Sequence, residues 1–219
     1  MSGTSTERLI DELTHDLPPV RRVPPLRWAL VAVLAIWSGL VGAVLLASGG
    51  RVGLFAELVS SPIFGGVGLG LLVTAVGATA AAIASGVPGR EAAVRLGMGA
   101  ALAGAIGGVV CCLVGIASVG LGFGSPVATD AVCLGYTALF SLVPAFTVGL
   151  LVLRSWVARP LLAAALALLG TAALGALTSQ LSCPFAGPRH LLLGHVSPPM
   201  LIVALGSLPA AMLIRRFAR

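Results

Sequence analysis

Six long stretches of this chain contain no Asp, Glu, Lys or Arg, and this pattern limits its possible folds more than any other feature. Each stretch meets the roughly 20 apolar residues that a helix needs to cross a bilayer. Only 9% of the residues are charged, whereas about a quarter are charged in a soluble domain. A soluble core is therefore excluded. The stretches are Trp28–Gly50, Leu58–Gly89, Leu96–Thr129, Ala131–Leu153, Pro160–Pro188 and His190–Ile214.

We predict an all-α integral membrane protein, a six-transmembrane-helix bundle preceded by a short cytoplasmic N-terminal amphipathic helix. Three segments follow from this prediction: a cytoplasmic N-terminal segment at residues 1–27, the transmembrane domain at 28–214 and a basic cytoplasmic tail at 215–219. The predicted spans lie near residues 28–48, 62–85, 92–117, 131–153, 160–181 and 192–214.

The arginines are unevenly divided between the two faces that six spans define. The outer face receives only Arg51 and Arg189 of the thirteen. Short loops rich in Arg tend to stay in the cytoplasm, so both termini are expected there. This topology also explains the formal charge of +6, and we expect no direct nucleic-acid partner. The arginines on the terminal face are Arg8, Arg21, Arg22, Arg27, Arg90, Arg95, Arg154, Arg159, Arg215, Arg216 and Arg219.

The N-terminal segment has the pattern of a short amphipathic helix. Its apolar residues follow helical spacing and form one stripe: Leu9, Ile10, Leu13 and Leu17. A helix that lies on a membrane surface favours Lys and Arg on its polar face, and this remains the alternative. Here the region Glu7–Asp16 holds four acids and only one base, Arg8. The pattern therefore favours a helix that enters an apolar groove on a cytoplasmic protein.

Two cysteines and two histidines are candidates for a site at the outer face. The topology places Cys133 at the start of the fourth span and Cys183 at the end of the fifth, with His190 and His195 shortly after. An oxidising periplasm permits a disulfide between the cysteines. Thiolate and imidazole also suit Zn or Cu, and exposed thiols suit oxidant sensing. A structural pairing, or a polar cap on the sixth span, is an equally open interpretation.

Two other classes of membrane protein fit the sequence less well. A thiol oxidoreductase needs a reactive pair, but Cys-x-x-Cys is absent, and Cys111 and Cys112 are adjacent and would be strained as a disulfide. We interpret them as small core residues and expect no enzyme. A small transporter or channel subunit needs polar groups along its path. The acids Glu57, Glu91 and Asp130 instead sit at predicted span ends.

Motifs at the two ends of the chain resemble the NrsF (negative regulator of sigma F) family of bacterial membrane anti-sigma factors. They are the segment Leu9–Pro25, which reads LIDELTHDLPPVRRVPP, and Cys183-Pro184 followed by His195 and Pro198-Pro199. Cys133 with the downstream Pro144 is a weaker central match. The chain departs from the pattern in the extra Cys111-Cys112 and at Gly194, where we expect an aromatic residue.

The resemblance implies a multi-pass protein of the bacterial inner membrane that holds an extracytoplasmic-function sigma factor away from RNA polymerase. Its paired cysteines, with which Cys133 and Cys183 align, would register a metal or oxidative signal. A transition-metal ion or a disulfide is then the expected signal state. Homodimerisation through Gly66–Gly70 has no further support. By this resemblance, sigma-factor binding is assigned to Leu9, Ile10, Leu13, Asp16 and Leu17.

Overall fold

The computed structural model describes residues 5–15, 24–48, 53–120 and 127–217, and within these ranges every regular element is helical. Six of the described helices, α2 and α4 to α8, are long and apolar enough to cross a membrane, which confirms the six predicted spans. The helices are α1 Ser5–His15, α2 Leu26–Ala47, α3 Leu54–Ser60, α4 Pro62–Ala84, α5 Glu91–Val119, α6 Val127–Leu153, α7 Pro160–Ser182 and α8 Pro188–Phe217.

The largest boundary differences are at the starts of the fourth and sixth spans. Their helices begin at Val127 and Pro188 rather than at residues 131 and 192. The short helix α3 was not predicted. It follows Gly53, whose positive φ of 77° is a conformation that glycine adopts without strain. The side chain of Ser61 then caps α4 by accepting a hydrogen bond from the backbone N–H of Phe64 at 3.3 Å.

The helices α4 and α5 pack with their backbones in contact. A Cβ atom added at Gly70 would lie 2.8 Å from the carbonyl oxygen of Gly104, and one at Gly77 would lie 2.6 Å from that of Gly97. No larger residue fits at these crossings. Close backbone approach is a main source of helix association in lipid, where the hydrophobic effect no longer drives it. The Gly66–Gly70 motif is thus used within the chain, against α5.

The helices α4 and α7 form the centre of the bundle, and α2 lies at its edge. In their most apolar windows, 72% of α4 and 67% of α7 are buried, against 11% of α2. Trp37 fastens α2 to α7 because its indole N–H donates to the Thr178 hydroxyl at 2.9 Å and to the Leu174 carbonyl at 3.1 Å. The side chain of Gln180 joins α7 to α4 by donating to the Phe64 carbonyl at 3.0 Å.

The amphipathic helix α1 presents its apolar stripe without cover. Leu9, Ile10 and Leu13 are 54%, 54% and 65% exposed. The other two residues of the predicted sigma-binding set, Asp16 and Leu17, lie outside the described residues. The surface of α1 is therefore available for a partner over its described length.

Candidate metal centre

Four buried side chains from three helices meet at one end of the bundle. Cys133 lies in the first turns of α6, Cys183 directly follows α7, and His190 and His195 lie in the first part of α8. One potential ligand atom from each residue lies within 4.8 Å of all the others. The structure therefore brings together all four residues that the sequence proposed for the outer-face site.

Three of the distances within the cluster are close to the edges of a tetrahedral metal site. The two sulfur atoms lie 3.7 Å apart, and His190 Nε2 lies 3.2 Å from Cys183 Sγ and 3.6 Å from Cys133 Sγ. Zn–S bonds of about 2.3 Å and Zn–N bonds of about 2.0 Å at tetrahedral angles give S–S edges of about 3.8 Å and S–N edges of about 3.5 Å. The two cysteines form no disulfide, which would require sulfurs about 2.0 Å apart.

Asp130 orients one of the histidines, and the sequence did not assign it to the site. Its Oδ1 lies 2.5 Å from His190 Nδ1, and Asp130 is only 8% exposed. A carboxylate only accepts hydrogen bonds, so Nδ1 carries the proton and the lone pair of Nε2 faces the two sulfurs. A carboxylate behind a metal-binding histidine is a common feature of zinc sites. One signal was available: Asp130 lies three residues before Cys133, on the same helix face.

A stretch of π-helix brings the two histidines onto one side of α8. In an α-helix, residues five apart point about 140° away from each other. Residues Leu191–Val196 instead form a π-helix, whose i→i+5 spacing places His190 and His195 on one face. The physical reason lies just beyond, because Pro198 and Pro199 have no N–H to donate and their rings clash with the carbonyls four residues earlier. The imidazole rings of His190 and His195 are centred 5.1 Å apart and meet edge to face.

Gly194 lets α8 approach the cysteine on α6. A Cβ atom at this position would lie 3.1 Å from His190 Cε1 and 3.3 Å from Cys133 Cβ. The aromatic residue expected here would therefore need His190 or Cys133 to move. Glycine permits the compact arrangement of this chain.

The ring nitrogens of His195 and the sulfur of Cys183 have properties that suit them as metal ligands. Both ring nitrogens of His195 are buried, and in the described part of the chain no hydrogen bond to them has ordinary geometry, although the ring interacts with the Cys183 thiol. A buried imidazole without partners is costly unless a ligand compensates. The hydrogen bond with Cys133 lowers the pKa of the Cys183 thiol, against the opposing effect of burial. The thiolate is the form that binds metals.

Comparison with known proteins gives the family. The family model NrsF, negative regulator of sigma F, matches residues 13–216. The chain belongs to the NrsF family. Its description makes the protein a negative regulator of a sigma factor, that is, an anti-sigma factor. No curated protein and no solved structure matches the chain.

The NrsF match covers the whole cysteine and histidine cluster but only part of the N-terminal stripe. It begins at Leu13, so Leu9 and Ile10 precede it. The second cysteine pair lies apart from the cluster: Cys112 is buried in the apolar core of the bundle and Cys111 packs beside it. This agrees with the interpretation of both as small core residues.

Proposed function

We propose that this NrsF protein is a membrane-embedded anti-sigma factor that sequesters an extracytoplasmic-function sigma factor and releases it when the Cys133–Cys183–His190–His195 centre captures a metal ion. The single observation that carries the proposal is the meeting of four buried ligand residues, among which three sulfur–sulfur and sulfur–nitrogen distances are close to the edges of a tetrahedral site. Zn and Cu(I) are the ions that such a ligand set suits best. The family match favours this role over a transporter, a channel subunit or a thiol oxidoreductase.

Metal binding can be tested on the full-length protein in detergent. Cobalt(II) reports a site with two thiolates by its absorption spectrum, and zinc should displace it with one equivalent. We expect Cys133→Ser and Cys183→Ser each to remove the signal, because each supplies one thiolate. The matched controls Cys111→Ser and Cys112→Ser should bind as the unaltered protein does. Equal binding by the Cys133→Ser, Cys183→Ser double variant would exclude the site.

We place sigma-factor binding on the uncovered stripe of α1, continued by Asp16 and Leu17. Burying one Leu side chain contributes roughly 1.5–3 kcal/mol, so Leu13→Ala should weaken affinity about tenfold or more. Arg8→Ala on the charged face should change affinity by about twofold at most. Deleting residues 1–17 should release sigma-dependent transcription completely. Continued repression by the deletion variant would show that the inhibitor lies elsewhere.

Helix α2 is the physical link between the two sites. Its C-terminal end lies beside Cys133 and Cys183, and its first residue, Leu26, follows the proposed sigma-binding segment in the sequence. The signal must cross about 30 Å of hydrocarbon, which requires a bundle with two arrangements that the metal centre stabilises differently. We propose that metal capture fixes the ends of α6, α7 and α8 in their packed arrangement, which the metal-free bundle can leave. This change alters how α2 is held and how it presents α1.

The proposed orientation has both termini in the cytoplasm and the metal centre at the periplasmic face. It follows from the arginine distribution, with only Arg51 and Arg189 on the outer face. Reporter fusions at these two positions should give a periplasmic signal. A cytoplasmic signal at either position would contradict the orientation.

A further inference from the structure

A cavity of about 490 Å³ adjoins the two cysteines on the outside of the bundle. It lies between the end of α2, the first turns of α6 and the end of α7. Its volume is within the range of pockets that hold a small organic molecule.

The walls of this cavity are apolar and aromatic, and the two thiols are its reactive groups. The rings of Tyr136 and Phe140 stack with centroids 5.7 Å apart and an interplanar angle of 12°. Phe185 lies on another side of the cavity and meets the ring of His190 edge to face. Both Cys133 and Cys183 line the cavity although each is buried from the general surface. A planar apolar molecule therefore has surfaces to stack on beside the sulfurs.

The position of the cavity favours entry from the membrane. Val132 and Tyr136 are 54% and 50% exposed on the outer surface of a membrane-spanning helix. Phe140 lies about 20 Å along α6 from its first residue, well into the hydrocarbon layer. A molecule dissolved in the bilayer can thus reach the thiols sideways.

We propose that this cavity admits a lipid-soluble quinone, which oxidises the metal-free Cys133–Cys183 pair to a disulfide. The proposal rests on the proposed function in one respect, that this pair is the signalling centre. The reaction balances: two S–H bonds break and one S–S bond forms, and the two electrons and two protons pass to the quinone oxygens, which gives the hydroquinone. It is a stoichiometric event for each protein molecule, in keeping with a regulator.

The reaction has a structural consequence that metal binding does not have. The sulfurs must move from 3.7 Å apart to about 2.0 Å apart, which pulls the start of α6 and the end of α7 closer. A metal ion on both sulfurs leaves no thiol for the quinone. The centre can therefore receive two alternative signals, metal capture and the redox state of the quinone pool.

A quinone fits the cavity better than a lipid chain does. An acyl chain would fill the same apolar space, but it does not react with thiols and does not stack on aromatic rings. The carbonyl oxygens of a quinone can accept hydrogen bonds from the hydroxyls of Thr129 and Tyr136 in the wall. The occupant would also contact the end of α2, through which the signal is proposed to leave.

The test uses the full-length protein in lipid nanodiscs, stripped of metal with a chelator, and decylubiquinone as the probe. Quinol formation is followed by absorbance, and the disulfide is located by mass spectrometry. We expect one quinol for each disulfide. Filling the cavity by Val132→Trp should slow the reaction about tenfold or more, which corresponds to ~1.4 kcal/mol in the barrier. Leu139→Trp is the matched control, because Leu139 is equally exposed on α6 but does not line the cavity.

Each outcome decides the proposal. Fast oxidation that Val132→Trp slows and Leu139→Trp leaves unchanged supports it. No quinol, with a disulfide formed by the water-soluble oxidant diamide, means that the cavity holds lipid only and overturns it. Equal rates in both variants also overturn it. Cobalt binding, measured on the same samples, separates this result from the proposed function. If the protein binds cobalt but does not react with quinone, only the quinone step is refuted.

Discussion

The central helices and the edge helix of this bundle are built on opposite principles. The helices α4, α5 and α7 meet through glycines and small residues at backbone distance, and most of α4 and α7 is buried. The edge helix α2 has 11% of its most apolar window buried and is fastened to α7 mainly by the indole of Trp37. The first group can hold a site in fixed geometry. The second can shift without unfolding the bundle.

This difference suits the proposed sensor. A metal centre needs ligands held within a fraction of an ångström, and the four candidate ligands, which α6, the end of α7 and α8 supply, are all buried. An output element needs a second arrangement close in free energy, which a loosely packed helix provides. The four predictions that follow test this division, and they run from the largest expected effect to the smallest.

The largest effect is expected from a side chain at a helix crossing in the centre. A Cβ atom at Gly104 would lie 2.6 Å from the Gly70 carbonyl oxygen and 2.6 Å from the Thr74 nitrogen, both backbone atoms that cannot rotate away. Gly104→Leu should therefore destabilise the bundle by about 3 kcal/mol or more. Gly107→Leu, three residues along α5, meets nothing within 4 Å and should be tolerated. Thermal unfolding in detergent measures both, and a stable Gly104→Leu variant would contradict the close packing.

The next effect concerns the carboxylate behind the metal centre. Asp130→Asn keeps a hydrogen-bond acceptor but removes the charge that supports His190 as a ligand. Zinc affinity should fall about 10- to 100-fold. Competition with a chelating dye measures this change. Glu91→Gln, an acid in the first turn of α5 at the other end of the bundle, should leave affinity unchanged. If both variants bind zinc equally, Asp130 has no part in the site.

A smaller effect is expected where α2 is fastened. Trp37→Phe removes the two hydrogen bonds to α7 and keeps most of the apolar contact, so about 1–2 kcal/mol of docking energy should be lost. Backbone hydrogen exchange should become faster in α2 and stay unchanged in α4 and α7. Trp28→Phe is the control, since Trp28 is 60% exposed. Faster exchange throughout the bundle would show that α2 is part of the rigid core after all.

The smallest effect is expected on the outward face of α2. Leu46 is 85% exposed, so Leu46→Ala should change stability by about 0.5 kcal/mol at most. Val33 on the same helix is fully buried, and Val33→Ala should cost more. Unfolding in detergent compares them directly. A larger loss of stability in Leu46→Ala than in Val33→Ala would contradict the assignment of the Val33 face of α2 as the packed one.

The sequence by itself determined the six spans and the membrane class. Hydropathy is a local property, and in lipid a run of apolar residues has few ways to satisfy its backbone other than a helix. The common location of Cys133 and Cys183 was also predictable. Successive spans cross the membrane in opposite directions, so the start of the fourth span and the end of the fifth lie on the same face. The residues of the N-terminal apolar stripe were likewise predictable from helical spacing alone.

The tertiary structure alone decided how the candidate metal centre is completed. The start of α8 was predicted too late, and the π-helical turn that aligns His190 with His195 was missed, although Pro198 and Pro199 just after it were visible in the sequence. The inward side chain of Asp130 depends on His190, sixty residues away. Which glycines meet a neighbouring backbone depends on the same kind of distant contact. Periodicity and hydropathy describe neighbours along the chain, whereas these features are set by neighbours in space.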